Sequence, residues 1–296
     1  MSSKSSPIAL PNSEQFQLVN VKGEPYLIQI SWPLHWKDDG ASCTSSVPII
    51  YIVDGNALFL TASEAAWRRA AESGLSADGG IIVAIGYPET QNLFNWARRI
   101  FDLTPPTPNQ KPGWGGADDF LEFIENTVKP TAKARFPKAT ISREALYGHS
   151  LGGLFALHAL FSRPLSYDCY IASSPSIWYS DRWILHQARK FVDSKEDLHG
   201  RLPTLLLYSG SQEQDPPRRR SQTHEDYAKW LAWINPLRMC DNVVELRAML
   251  RYCPRLQLVS LAMYEGEDHM SVMACSMSRG MTTFFEDSPL PLKAKL

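Results

Sequence analysis

The chain has 296 residues, 44% hydrophobic and 21% charged, with a formal net charge of −1. This is a globular composition, and its near-neutral balance lacks the basic stripe of a nucleic-acid binder or a membrane-surface protein. Five cysteines, an odd number with no CxxC pair, argue against a disulfide scaffold or a zinc ribbon.

The first residues, MSSKSSPIALPNSEQ, contain no apolar run of signal-peptide type, and residues 1–12 are expected to be flexible. No segment has the uninterrupted apolar length of a membrane span, so a cytoplasmic protein with no membrane partner is expected. FQLVNV (16–21) and PYLIQISW (25–32) flank Lys22-Gly23-Glu24 and predict a hairpin. VPIIYIVDG (47–55) and GGIIVAIGYP (79–88) read as strands, and ASEAAWRRAAESG (62–74) between them as a helix ending in Gly. DLTPPTPNQKPGWGG (102–116) is rich in breakers and suits an ordered loop over a site. ADDFLEFIENTVKPTAKARF (117–136) carries Phe120, Phe123, Ile124 and Val128 at helical spacing, with Pro130 forcing a kink or a second segment.

REALYGHS (143–150), YDCYIASSP (167–175), PTLLLYSG (203–210) and LQLVSLAMYEG (256–266) supply four more strands. The helical stretches among them are 151–163, 181–192, 224–234 and 242–251. The later strands are apolar throughout rather than alternating, as in a parallel sheet covered on both faces. A hairpin followed by alternating strands and helices gives an α/β fold with a mostly parallel central sheet of about eight strands, helices on both faces, and one domain over 1–296.

YGHSLGG (147–153) places Gly148-x-Ser150-x-Gly152 between an apolar strand and an apolar helix. Such a turn holds the serine in a strained conformation, lifts its hydroxyl off the sheet and aims the Leu151 N–H at a developing oxyanion. A serine nucleophile needs a base, and this arrangement supplies its partners in the order Ser, acid, His. His269, in MYEGEDHMS, follows the final strand and is the expected base. The acid belongs after the penultimate strand, in SGSQEQDPP (209–217), where Glu213 and Asp215 both qualify. Glu213 is nearer the strand end, and Asp215 is stiffened by two prolines. A Ser–His pair without an acid is the remaining option. At the end of the third strand, Gly55 allows close approach and the Asn56 N–H is the expected second oxyanion donor. Trp178, on the loop side after the sixth strand, and Trp114 are candidate pocket walls.

Together YIVDGNALF, VAIGYP, RRIFDLTP, GGADDFLEFIENTVKP, LYGHSLGGLFALHALF, ASSPSIWY and EGEDHMS resemble the ferri-siderophore esterases of the esterase-D-type α/β-hydrolases. That group includes enterobactin, salmochelin and bacillibactin esterases and fungal enzymes acting on fusarinine-type siderophores. The resemblance implies the α/β-hydrolase fold, no metal or organic cofactor, and a small-molecule ester substrate, iron-loaded or iron-free. It implies Ser150 as nucleophile and His269 as base, and its G-x-x-E position, Gly210–Glu213, favours Glu213 over Asp215. It also implies a substrate-facing arginine in R-x-x-D-x-T-P, here Arg99 with Arg98 beside it; pairing of Arg99 with Asp102 is the alternative. Leu103 and Tyr179 depart from the group's usual aromatics, and residues 235–253 are longer than its usual connection, so a lid or rim is expected there. The resulting expectation is a serine esterase cleaving a siderophore-type oligoester or macrolactone through an acyl-enzyme. Acyl transfer by the same machinery is the alternative.

Overall fold

A computed structural model describes residues 8–36, 46–71, 79–89 and 91–286. Cys43, residues 1–7 of the expected flexible start and residues 72–74 of the first expected helix lie outside them. Eight strands form one sheet: β1 (Ser13–Val19), β2 (Pro25–Ser31), β3 (Ser46–Val53), β4 (Ile81–Gly86), β5 (Thr140–His149), β6 (Cys169–Ser173), β7 (Thr204–Gly210) and β8 (Leu258–Tyr264). Their spatial order is β1-β2-β4-β3-β5-β6-β7-β8. The β1–β2 and β2–β4 pairs are antiparallel and every later pair is parallel. This is the expected fold class.

The continuous apolar runs are explained by strand periodicity. Ile49, Tyr51 and Val53 of β3 point to one face and Ile50 and Ile52 to the other, and all five are 0% exposed. One face is covered by α1 (Gly55–Ala70) and α9 (Val272–Glu286), through Leu58, Phe59, Met277, Met281 and Phe284. The other is covered by α3 (Ala117–Phe123), α4 (Lys129–Ala134), α5 (Leu151–Ser162), α6 (Tyr179–Asp193) and α8 (Met239–Leu250). Two elements complete the set, α2 (Trp96–Asp102) and α7 (His224–Ile234). α5 is buried along its whole run from Leu151 to Leu160, which is why its sequence is apolar all round.

Between α3 and α4, residues Ile124–Val128 form a π turn in which the Lys129 N–H bonds to Ile124 O. Pro130 has no N–H to continue an α ladder, and the wider turn absorbs that break without ending the helix. Most of 235–253, expected as a lid or rim, is instead α8, with Val243, Leu246 and Leu250 buried in the core. Only Leu237 and Met239, at its start, reach the cleft described below. The element that stands over that cleft is α7, in which Ile234 alone is buried.

β5 lies mid-sheet, between β3 and β6. Its carboxyl end is therefore flanked by the loops that leave both neighbours, the position at which open α/β sheets build sites.

Candidate active site

Ser150 joins β5 to α5 with φ 59° and ψ −116°, outside the regions that side-chain-bearing residues ordinarily occupy. Three backbone bonds hold it there: Ser150 N–H to Ser173 O (2.9 Å), and Leu154 N–H and Ser176 N–H to Ser150 O (both 3.0 Å). A Cβ on Gly148 would lie 2.0 Å from Gly152 O, so the turn closes only with glycine at 148. Gly148→Ala is accordingly expected to lower stability by about 3 kcal/mol or more, read as a fall in Tm or in folded yield.

The loops after β7 and β8 are stitched together. Ser211 N–H bonds to Tyr264 O (2.9 Å) and Gln212 N–H to Glu267 O (3.0 Å). A Cβ on Gly210 would meet Glu267 O at 2.3 Å, so this approach also needs glycine. Asp268 accepts from the N–H groups of Met270 and Ser271 (both 2.9 Å), fixing the turn that carries His269 into α9. The Ser271 N–H foremost, set against partial burial, holds the Asp268 carboxyl below its ordinary range.

These loops bring three side chains into line. His269 Nε2 lies 3.0 Å from Ser150 Oγ, and His269 Nδ1 lies 2.6 Å from Glu213 Oε2. The other oxygen, Glu213 Oε1, accepts from Ser174 Oγ (2.6 Å), Ser209 Oγ (3.0 Å) and Gly210 N–H (2.5 Å). Glu213 is 1% exposed, whereas Asp215 is exposed. Burial alone would raise the Glu213 carboxyl. The bond to His269, together with those from Ser174 and Gly210, outweighs it and holds the group below its ordinary range. With Nδ1–H given to a carboxylate, Nε2 is left to accept from Ser150.

His149 is buried with Nδ1 3.0 Å from Ser173 Oγ and its ring centroid 4.6 Å from that of His269. Burial foremost, and the charges of His269 and Arg99 next, keep it neutral well below the usual imidazole range. It forms a wall behind the relay. Of the other histidines, His158 is bonded to Asp118 and Gln187, and His199 and His224 are exposed.

Ser150, Leu151, Glu213 and His269 open onto a cleft of about 520 Å³. Trp114 and Trp178 line it as expected, and Trp114 stacks on Tyr179 at 5.3 Å. Trp96, Trp230 and Trp233 line it as well and were not legible as such, because they come from α2 and α7. Trp96 and Trp233 are 62% and 65% exposed, so apolar surface reaches the mouth. Arg99 also lines the cleft. Its guanidinium forks onto the Asp54 carboxylate (Nε–Oδ1 2.9 Å, NH2–Oδ2 2.8 Å) and lies about 5 Å from the Phe94 and Trp96 rings.

Two expectations are corrected. Arg99 pairs with Asp54 and not with Asp102. Arg98 is not among the cleft residues: its guanidinium lies 4.5 Å from the Tyr26 ring centroid and 3.9 Å from Asp102. The one-residue step along α2 turns adjacent side chains to different faces. Asp102 accepts from Tyr26 (3.0 Å) and Tyr87 (3.1 Å) hydroxyls, and burial pushes it up to about 6 against the pull of Arg98. Gly55 and Asn56, expected near the oxyanion, open α1 at the same end of the sheet as Ser150. The Asn56 side chain ties this turn to Tyr87, accepting from its N–H (2.7 Å) and donating to its carbonyl (2.9 Å).

A sheet in this order, with a strained serine between its central strand and the following helix, belongs to the α/β-hydrolase class. The chain matches the family model described as "Putative esterase" over residues 20–247. It is 58% identical to the siderophore triacetylfusarinine C esterase of Aspergillus fumigatus, over 98% of each chain. It is 41% identical to the siderophore enterobactin esterase of Emericella nidulans, over 93% of this chain and 94% of that one. The solved structure of siderophore hydrolase EstB from Aspergillus nidulans superposes with a TM-score of 0.92 at 52% identity, covering 98% of this chain and 100% of that one. The chain belongs to this esterase family, as its motifs indicated, and is a carboxylic ester hydrolase. Among the described residues, no helix is long and apolar enough to cross a membrane.

Proposed function

We propose that the chain is a serine esterase that hydrolyses the ester bonds of a siderophore-type oligoester, cyclic or linear, through an acyl-enzyme on Ser150. The observation that carries this reading is the Ser150–His269–Glu213 line at the wall of a tryptophan-lined cleft. His269 Nε2 takes the Ser150 proton as Oγ attacks the ester carbonyl. Glu213 holds the ring in the required tautomer and stabilises the imidazolium. The Leu151 N–H, at the start of α5, faces the charge that develops on the carbonyl oxygen. His269 then returns the proton to the leaving alcohol, and water activated by the same nitrogen releases the acyl group.

The names of the two curated relatives support the substrate class, one acting on a triacetylated fusarinine and the other on enterobactin. Iron, where present, arrives with the substrate. Five tryptophans along the cleft suit an ester with several bulky, apolar arms. We place the enzyme in the cytoplasm, a setting supported by the free thiols Cys169, Cys240, Cys253 and Cys275.

A panel of ferric and iron-free trilactone and fusarinine-type esters, with products identified by mass, tests the assignment. Ring-opened and monomer acids are expected from at least one member. Turnover of small model esters with none of the panel cleaved would contradict the substrate class, and alcohol adducts in place of acids would show acyl transfer.

A further inference from the structure

One hydroxyl in the cleft stands outside the relay. Ser176 lies between β6 and α6, is 1% exposed, and lines the cleft with Ser150. Its N–H is already spent on Ser150 O. Its Oγ lies 3.3 Å from Ser150 Oγ, which is its hydrogen-bond partner among the described residues. A buried hydroxyl with a single partner is held there by that partner.

The direction of this bond follows from counting hydrogens. Ser150 Oγ carries one. His269 Nδ1 faces the Glu213 carboxylate at 2.6 Å and gives its hydrogen there, so Nε2 accepts from Ser150 at 3.0 Å. Ser150 has then no hydrogen left for Ser176, and the 3.3 Å contact runs from the Ser176 O–H to Ser150 Oγ.

We propose that Ser176 is a further catalytic residue, whose hydroxyl donates to the nucleophilic oxygen while its proton is leaving for His269 and before the Oγ–C bond is complete. The inference rests on Ser150 as nucleophile. In the attack, the Oγ–H bond breaks and its proton passes to His269 Nε2. The Oγ–C bond forms, and the carbonyl π pair moves onto the carbonyl oxygen. Ser176 keeps its own hydrogen throughout. At 3.3 Å its bond is long in the resting enzyme, and it tightens as Oγ becomes a stronger acceptor on the way to attack. A contact that strengthens in this way lowers the barrier more than it stabilises bound substrate, so it acts on kcat. The strained φ of Ser150 serves the same end, because it and the Ser176 N–H bond fix the two oxygens side by side.

The test compares wild type, Ser176→Ala and Ser176→Cys in ester turnover and in the rate of covalent labelling by a fluorophosphonate, with the labelled peptide mapped. Loss of one donor to an oxygen that bears partial negative charge in the transition state predicts a fall of about 10- to 100-fold in kcat and in labelling rate for Ser176→Ala. KM and the midpoint of the acid limb of the pH–rate profile are expected to stay put, because neither depends on this hydrogen. Ser176→Cys, with its weaker S–H donor, is expected to fall between the two. Labelling at Ser150 with Ser176→Ala within about twofold of wild type in both rates would overturn the role of Ser176 and leave the nucleophile standing. A loss confined to KM, or a shifted pH midpoint, would overturn it too, by pointing to altered packing around His269. Absence of label at Ser150 in the wild type would remove the nucleophile and this inference together.

Discussion

Ser150→Ala and His269→Ala are each expected to lower kcat by on the order of 10⁴- to 10⁶-fold, and the double variant by no more than the worse of the two. The reason is that the proposed mechanism makes the two side chains one device. Without Oγ there is nothing for Nε2 to deprotonate, and without Nε2 the hydroxyl keeps its proton. In the proposed mechanism, their 3.0 Å contact is the bond along which that proton moves. Residual turnover is expected from the cleft and, in the proposed mechanism, from the Leu151 N–H, which would position and polarise the ester for attack by water. Steady-state rates on a soluble model ester check this, with circular dichroism confirming that each variant is folded. Additive losses in the double variant would mean that the two residues act independently.

Glu213→Gln is the second large effect, expected at roughly 10³- to 10⁴-fold in kcat. The two oxygens of this buried carboxylate face different partners. Oε1 sits against three donors, one of them the Gly210 N–H, which cannot rotate to accept. A glutamine therefore puts its carbonyl oxygen there and its NH₂ toward His269 Nδ1. That forces Nδ1 to accept and moves the ring hydrogen to Nε2, the tautomer that cannot take the Ser150 proton. The neighbouring Asp215 is exposed, and Asp215→Asn is expected to turn over as wild type does. Near-normal turnover by Glu213→Gln would instead make this a Ser–His pair with Glu213 as scaffold. The same substitution has a pH signature. A carboxyl held below its ordinary range contributes stability above the unfolded-state pKa, and that contribution is lost as the pH falls through the folded value. The stability gap between wild type and Glu213→Gln should thus narrow on acidification below the ordinary carboxylate range, as denaturant midpoints would show.

The central strands were legible because a buried parallel strand leaves an apolar run between turn residues, and the β1–β2 pair because two short runs flank the Lys22-Gly23-Glu24 turn. The helices were less so. α9, VMACSMSRGMTTFFE, mixes Ser, Thr and Gly into its run and has weak helix propensity. It is helical because Met277, Met281, Phe284 and Phe285 are buried against the sheet, which is tertiary information. α1 begins at Gly55, seven residues before its helix-forming stretch, because a left-handed Asp54 turns the chain directly off β3. That Ser150, His269 and Glu213 come together could be read because their order follows strand order. The assignment of the arginines could not be read, since one position along α2 separates a cleft residue from one packed on Tyr26. Nor could Trp230 and Trp233, which need the placement of α7 over the cleft, or Ser176, whose meaning is a distance to one atom.

The central claim is a covalent intermediate on Ser150, and rapid mixing with a cleaved siderophore ester followed by acid quench and intact mass tests it most directly. A transient mass increase equal to the acyl unit is expected, mapped to the peptide containing Ser150, absent from Ser150→Ala, and decaying at the rate of turnover. Product formed at the wild-type rate by Ser150→Ala, with no adduct on either protein, would contradict it.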